Sequence, residues 1–179
     1  PTLNQLQPLR NNNDYFNQYI GNPDLKQSFT HQFNLSHNSY NFIKDLWTYQ
    51  SLNFRTTANA ITNSIFVSTD SGKTVTQPIN TSGNYSINFW SGLGFKIKKA
   101  GIQMNLNPNF TFNRFADVVN GRTTFAKNLN GGLNLWMNKS KEKKYDFALS
   151  NDFNYNRNVT TQNARINSFF TNTVNFNAT

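Results

Sequence analysis

Apolar and polar side chains alternate along residues 85–112, YSINFWSGLGFKIKKAGIQMNLNPNFTF. Tyr85, Ile87, Phe89, Leu93, Phe95 and Ile97 form the apolar set of the first half, with Ser91 and Trp90 as exceptions. After Lys98-Lys99-Ala100-Gly101 the phase switches to Ile102, Met104, Leu106, Pro108, Phe110 and Phe112. Period-2 alternation is the signature of a strand with two different faces, and two such runs around a short glycine-containing turn predict a β-hairpin. Both arms are long against a usual strand of roughly 5 or 6 residues.

The same pattern predicts strands at about 28–40, 46–62, 84–97, 102–114, 123–138, 145–157 and 166–177. Connections after the first, third and fifth are short. Those after the second, fourth and sixth are longer and rich in Gly, Asn, Asp and Thr. The fold class expected is therefore all-β: an antiparallel up-and-down meander of about seven long strands, part of a larger transmembrane β-barrel. Segments 1–27, 63–80, 115–122 and 158–165 read as outer loops, and Pro108 within the fourth strand implies a bulge.

Alternation alone fits both a soluble sandwich, apolar side inward, and a membrane barrel, apolar side to lipid. Three features favour the barrel. The strands suit the 9–11 residues of a tilted crossing plus rims. The polar face carries uncharged Asn, Gln, Ser, Thr and Gly rather than Lys and Glu. Tyr85, Phe110, Phe112, Phe125, Tyr145 and Tyr155 lie near strand ends, as in an interfacial girdle.

Composition sharpens this. Only 36% of the 179 residues are hydrophobic and mean hydropathy is −0.65, yet there are 17 Phe, 7 Tyr, 3 Trp and 33 Asn. Aromatic richness argues against disorder, and Asn disfavours helix interiors. No cysteine is present, which removes disulfides and thiolate metal sites. No run approaches the ~20 apolar residues of a membrane helix, and no signal peptide is visible. Because the chain opens Pro-Thr-Leu, it reads as a piece of a longer protein. The net charge of +9 invites nucleic acid, but six of the 17 basic residues, Lys98, Lys99, Lys139, Lys141, Lys143 and Lys144, cluster in two hairpin turns away from the aromatic face. No nucleic-acid partner is expected.

PTLNQLQP followed by GNPDLKQSFTHQFNLSHNS resembles the Bacteroidetes outer-membrane β-barrel family related to TonB-dependent receptors. Pro1, Leu6, Pro8, Gly21, Asn22, Pro23, Leu25 and Lys26 carry the resemblance, with Leu52-x-Phe54 and Asn59-Ala60-Ile61 fitting the next strand. It covers residues 1 to about 65. The resemblance implies a fragment of a barrel of about 22 strands, an upstream plug, TonB as a partner, and a location in the outer membrane of a Gram-negative bacterium. It also implies that 28–40 runs inward, so the Lys-rich turns face the periplasm. No TonB box or plug is visible here.

Several residues invite chemistry. Arg114, Lys127 and Arg157 share the lipid-facing parity near the outer ends, where a charge costs little against about 2–4 kcal/mol at mid-bilayer. They either form a belt on lipopolysaccharide phosphates or snorkel into water. Arg55, Asn105, Asn107, Asn130, Asn134, Asp146 and Asp152 project to the lumen by parity, as lumen polarity or plug contacts. His31 and His37 share a face but lie roughly 20 Å apart at 3.3 Å per residue, too far for one metal ion. Gly92-x-Gly94 has no following helix and is no phosphate loop; small residues giving a plug room fit better. No catalytic constellation, cofactor or metal is expected. The function expected is a segment of a receptor-like barrel that binds or imports a nutrient. The rivals are a soluble or surface-exposed carbohydrate-binding or adhesion module, and a structural or secretion-associated barrel.

Overall fold

The computed structural model describes residues 1–11, 14–141, 144–160 and 165–179. In chain order these form α1 (Leu3–Leu6), β1 (Arg10–Asn11), β2 (Asn17–Ile20), β3 (Phe29–Asn41), β4 (Leu46–Ala58), β5 (Ala60–Val67), β6 (Thr74–Thr81), β7 (Asn84–Ile97), β8 (Ile102–Val119), β9 (Arg122–Lys141), β10 (Tyr145–Thr160) and β11 (Arg165–Ala178). All eleven strands join one sheet. Its wall is the meander β3-β4-β7-β8-β9-β10-β11, antiparallel throughout. This is the meander that the alternation predicts.

Register holds one frame across the whole wall. Leu35 pairs Leu52, Leu52 pairs Phe89, Phe89 pairs Phe110, and Phe110 pairs Gly131. Gly131 pairs Tyr155, which pairs Phe170. Cross-strand partners share a face, so one side of seven strands is a continuous apolar surface and the other a continuous polar one. The bulge expected at Pro108 is absent. Trp90 pairs Asn109 and Leu93 pairs Leu106 in the same frame, with only the rungs between them missing. The lost proline N–H thus costs one gap in a ladder, and Pro108 still pairs Leu133 on its other side.

Above the wall the sheet forks at β8. β7 begins at Asn84, while β8 continues to Val119, five residues beyond Arg114, the last residue that β7 pairs. Asn84 Oδ1 accepts the Ala116 N–H at 2.7 Å, standing in for the strand that has ended. β5 then takes the vacated edge, pairing Ser64 with Val118 in parallel. β6, β2 and β1 follow outward.

Several expected boundaries change here. The strand expected at 46–62 breaks at Asn59, whose φ of 51° turns the chain out of β4; Asn is among the few side chains that tolerate this region. The segment 63–80, expected to be loop, holds most of the β5–β6 hairpin, and 1–27 contains α1, β1 and β2. The expected 115–122 loop is a two-residue turn, Asn120-Gly121, with φ of 49° and 75°, which matches the twist of a hairpin. Lys139 and Lys141 belong to β9 rather than to its turn, and Lys143 lies outside the described residues. Residues 161–164 of the last expected loop also lie outside them.

The buried core lies at this fork. Leu25, Ala60, Ala116, Val118 and Ser64 are buried, and Pro78 is wholly enclosed. All come from the N-terminal segment, the β5–β6 hairpin and the upper end of β8. Along the wall, by contrast, the apolar face is open: Phe33 is 57% exposed, Phe170 60% and Phe176 64%. Each such side chain, about half exposed, forgoes roughly half of the 1.5–3 kcal/mol that full burial gives. About a dozen of them together rival the roughly 5–15 kcal/mol that holds an ordinary domain folded. This face needs lipid or another apolar cover, and no second sheet of the described residues provides it, as the sandwich reading requires.

Candidate functional site

The polar face is built from rows of side chains running across the strands. One row reads Gln32, Arg55, Ser86, Asn113, Asn128, Asn158 and Asn167. A second, nearer the β3–β4 turn, reads Asn38, Tyr49, Gly92, Asn107, Asn134, Asp152 and Thr173. Arg55, Asn105, Asn107, Asn130, Asn134, Asp146 and Asp152 share this face by register. Asn107 Nδ2 donates to Asn134 Oδ1 at 3.0 Å, and Asn134 Nδ2 donates to Asp152 Oδ1 at 2.6 Å, a relay across three strands. Asn138 Nδ2 donates to Asp146 Oδ1 at 2.8 Å. Asn130 sits between Thr111 and Asn156. Asn105 Oδ1 is buried without a hydrogen-bond partner.

Three residues of this face escape the sequence reading as a group. Trp47, Trp90 and Trp136, the chain's only tryptophans, all stand on it, with Tyr40 and Tyr49. The indole of Trp47 lies over the Gly92-x-Gly94 pair. A Cβ on Gly92 would meet Trp47 Cζ3 at 2.9 Å, and one on Gly94 would overlap Nε1. The glycines therefore make room for this indole, a pairing of aromatic ring with strand glycine that restores packing to a bare stretch of sheet; the expected space for a plug is already filled. The signal was present in the parity, since each Trp falls in phase with the asparagines.

Near the fork the polar face deepens into a cavity of about 350 Å³ lined by Arg55, Thr57, Asn84, Ser86, Asn113 and Phe115. Arg55 has no hydrogen bond or ion pair among the described residues. The carboxylates on this face are Asp117, Asp146 and Asp152, and none shares the Arg55 row.

The apolar face brings Arg114, Lys127 and Arg157 together. Arg114 is directly opposite Lys127 on β9, and Arg157 lies on the diagonal, opposite Leu129. Like charges placed opposite one another destabilise a strand pair. Arg114 is partly held: Nη1 donates to the Gly83 carbonyl at 3.0 Å, and its guanidinium sits 3.6 Å from the Phe125 ring centroid. The Tyr85 ring packs tilted against Phe112, 5.7 Å between centroids, and Phe112 lies near the middle of β8 because that strand runs to Val119. Phe110 and Phe112 are therefore not strand-end residues.

The motif residues Gly21, Asn22, Pro23, Leu25 and Lys26 act as a clamp. A Cβ on Gly21 would overlap the Gln7 carbonyl oxygen, so only glycine lets β2 pass so close to α1. Asn22 Nδ2 donates to the Pro78 carbonyl at 3.1 Å. Asn80 Oδ1 accepts the Lys26 N–H at 2.7 Å while its Nδ2 reaches the Lys26 and Asn59 carbonyls. The N-terminal segment is thus fastened to the β5–β6 hairpin.

A family model described as the outer membrane protein beta-barrel family matches residues 1–179. No curated protein matches the chain, and no solved structure does. Long in-frame strands, one open apolar face and a family match over the full length agree: the chain belongs to the outer membrane protein beta-barrel family and resides in the outer membrane.

Proposed function

We propose that this chain forms part of the wall of a TonB-dependent, plugged receptor that binds a nutrient at its outer rim and lumen and imports it. The observation that carries this reading is the asymmetry of the wall. Its apolar face suits lipid, its amide-rich face suits a wet or plugged lumen, and its fork supports a structured rim cap. The kinship with TonB-dependent receptors inferred from the GNPDLK segment supports an energised barrel. In this reading the fork is extracellular, the β3–β4 turn is periplasmic, and the protein binds and transports rather than catalyses.

Lipid and lipopolysaccharide are the partners proposed for the outer surface. Arg114, Lys127 and Arg157 lie on the lipid side close to the fork, and every carboxylate within the described strands is on the opposite face. Phosphate groups of the outer leaflet would relieve the Arg114–Lys127 repulsion.

The test is uptake in cells producing the full-length protein, compared with cells lacking TonB and with cells treated with a protonophore. Import that stops in both supports the receptor. Growth-neutral loss of TonB dependence, with a membrane-integrity defect on deletion of the barrel, would favour the structural or secretion-associated barrel instead.

A further inference from the structure

We propose that the cavity at Arg55 is a binding site for a small organic carboxylate, a site that deepens the receptor reading by naming its substrate class. Arg55 projects from β4 on the polar face and lines the roughly 350 Å³ cavity just below the fork. That volume falls within the 300–1,000 Å³ of small-molecule sites. A guanidinium presents a rigid fork of donors matched to a carboxylate. Here the fork has no acidic partner, and no hydrogen bond occupies it among the described residues.

Its neighbours are suited to the same ligand. Ser86 is directly paired with Arg55, and Asn113 with Ser86, so three side chains stand in one row with Cβ spacings of about 5 Å. Neither Ser86 nor Asn113 spends its side chain on a hydrogen bond among the described residues, which leaves a hydroxyl and an amide for the second carboxylate oxygen. Asn84, by contrast, is committed: its Oδ1 fixes Ala116 N and its Nδ2 lies 3.5 Å from Thr81 Oγ1. It shapes the wall rather than binding. Phe115, 47% exposed, supplies an apolar surface on the same side. One cation, two free polar groups and an aromatic wall describe a ligand with a single carboxylate on an apolar body. A bare inorganic anion would leave the Phe115 surface unused, and a neutral solute would leave the guanidinium unpaired.

Full-length protein in lipid nanodiscs would be titrated with phenylacetate, with phenylethanol as its neutral analogue and inorganic phosphate as the bare anion. Binding would be followed by saturation-transfer NMR at low ionic strength, where charge pairing is least screened. Phenylacetate is expected to bind, to weaken at least tenfold in Arg55→Gln, and to recover in part in Arg55→Lys. Heat-modifiable migration on gels should be the same in all three proteins, because Arg55 makes no hydrogen bond or ion pair among the described residues. No binding of phenylacetate, binding indifferent to Arg55→Gln, or equal binding of phosphate or phenylethanol would each overturn the site. TonB-dependent uptake separates this from the function itself. Energised uptake indifferent to Arg55→Gln removes the site and keeps the receptor; Arg55-dependent binding without energised uptake does the reverse.

Discussion

At the scale of single residues, glycine and proline behave according to what stands beside them. Gly94 and Gly131 both lie inside long strands, yet they differ. Gly94 carries the Trp47 indole, whereas a Cβ on Gly131 would meet nothing within 4 Å. Gly94→Ala is therefore expected to unseat Trp47 and cost about 1–3 kcal/mol, the usual penalty of overpacking. Gly131→Ala should be neutral or slightly stabilising. Urea unfolding in lipid vesicles, read by tryptophan emission, checks both, and equal effects at the two sites would remove the role given to Trp47. Asp14 offers a second residue-scale prediction. Its carboxylate accepts from Asn17 Nδ2 at 2.9 Å and from the Phe16 and Asn17 N–H groups, bonds that hold its pKa below the ordinary carboxylate value. A depressed folded-state pKa adds stability above the unfolded value and loses it as pH falls through the folded one. Amide protection at Phe16 and Asn17 should thus persist at neutral pH and fade only in strong acid. Asp14→Asn should flatten that response.

At the scale of elements, the wall was legible in the sequence and the rim was not. A strand with two unlike faces writes its register into its parity, and all seven long strands show it. β5 and β6 do not. Ala60, Ser64 and Pro78 are buried against neighbours at the fork rather than sorted between two solvents, so the alternation weakens and the hairpin passes for loop. The end of β4 was equally hidden, because its break depends on the positive φ of Asn59. Turn chemistry could have revealed the Asn120-Gly121 hairpin, since Asn-Gly between alternating runs is a strong signal. At the candidate site, Arg55 and the asparagines were placed by parity alone. Their cavity depends on where β7 stops and β5 begins, which is a tertiary fact.

The clamp gives this scale its own test. Asn80→Ala removes three hydrogen bonds to Lys26 and Asn59, each worth about 0.5–1.5 kcal/mol. Protease added to intact cells should then cut more readily within residues 1–27, while the barrel itself keeps its heat-modifiable migration. Cleavage as slow as in the parent protein would mean that the clamp does not hold the cap. The basic cluster is testable in the same spirit. Changing Arg114, Lys127 and Arg157 together to Gln is expected to lower the lipopolysaccharide retained through purification. Unchanged retention would leave the three as side chains that reach water.

At the scale of the whole molecule, the distribution of burial carries the argument. An ordinary domain hides its apolar residues at its centre; here the wall buries almost nothing, and the core sits to one side at the fork. β3 pairs only β4, and β11 pairs only β10, so the wall among the described residues has two open edges. Unpaired edges template further strands, and a barrel in a bilayer must close so that every backbone group is satisfied. Further strands of the same protein are expected against Phe29–Asn41 and Arg165–Ala178. Disulfide trapping from these edges in the full-length protein should find partners along their length.

The central claim is that one face of this wall meets lipid and the other a wet lumen. The chain contains no cysteine, so single cysteines can be placed from Leu129 to Met137 of β9 in the full-length protein and spin-labelled in bilayers. Accessibility to oxygen and to a polar relaxation agent would then be measured at each position. Oxygen should favour the odd positions, including Leu129, Leu133, Leu135 and Met137, and the polar agent the even ones, including Asn130, Gly132, Asn134 and Trp136. Odd positions shielded from both agents would instead mean that the apolar face is covered by protein, and the account of the wall would fail.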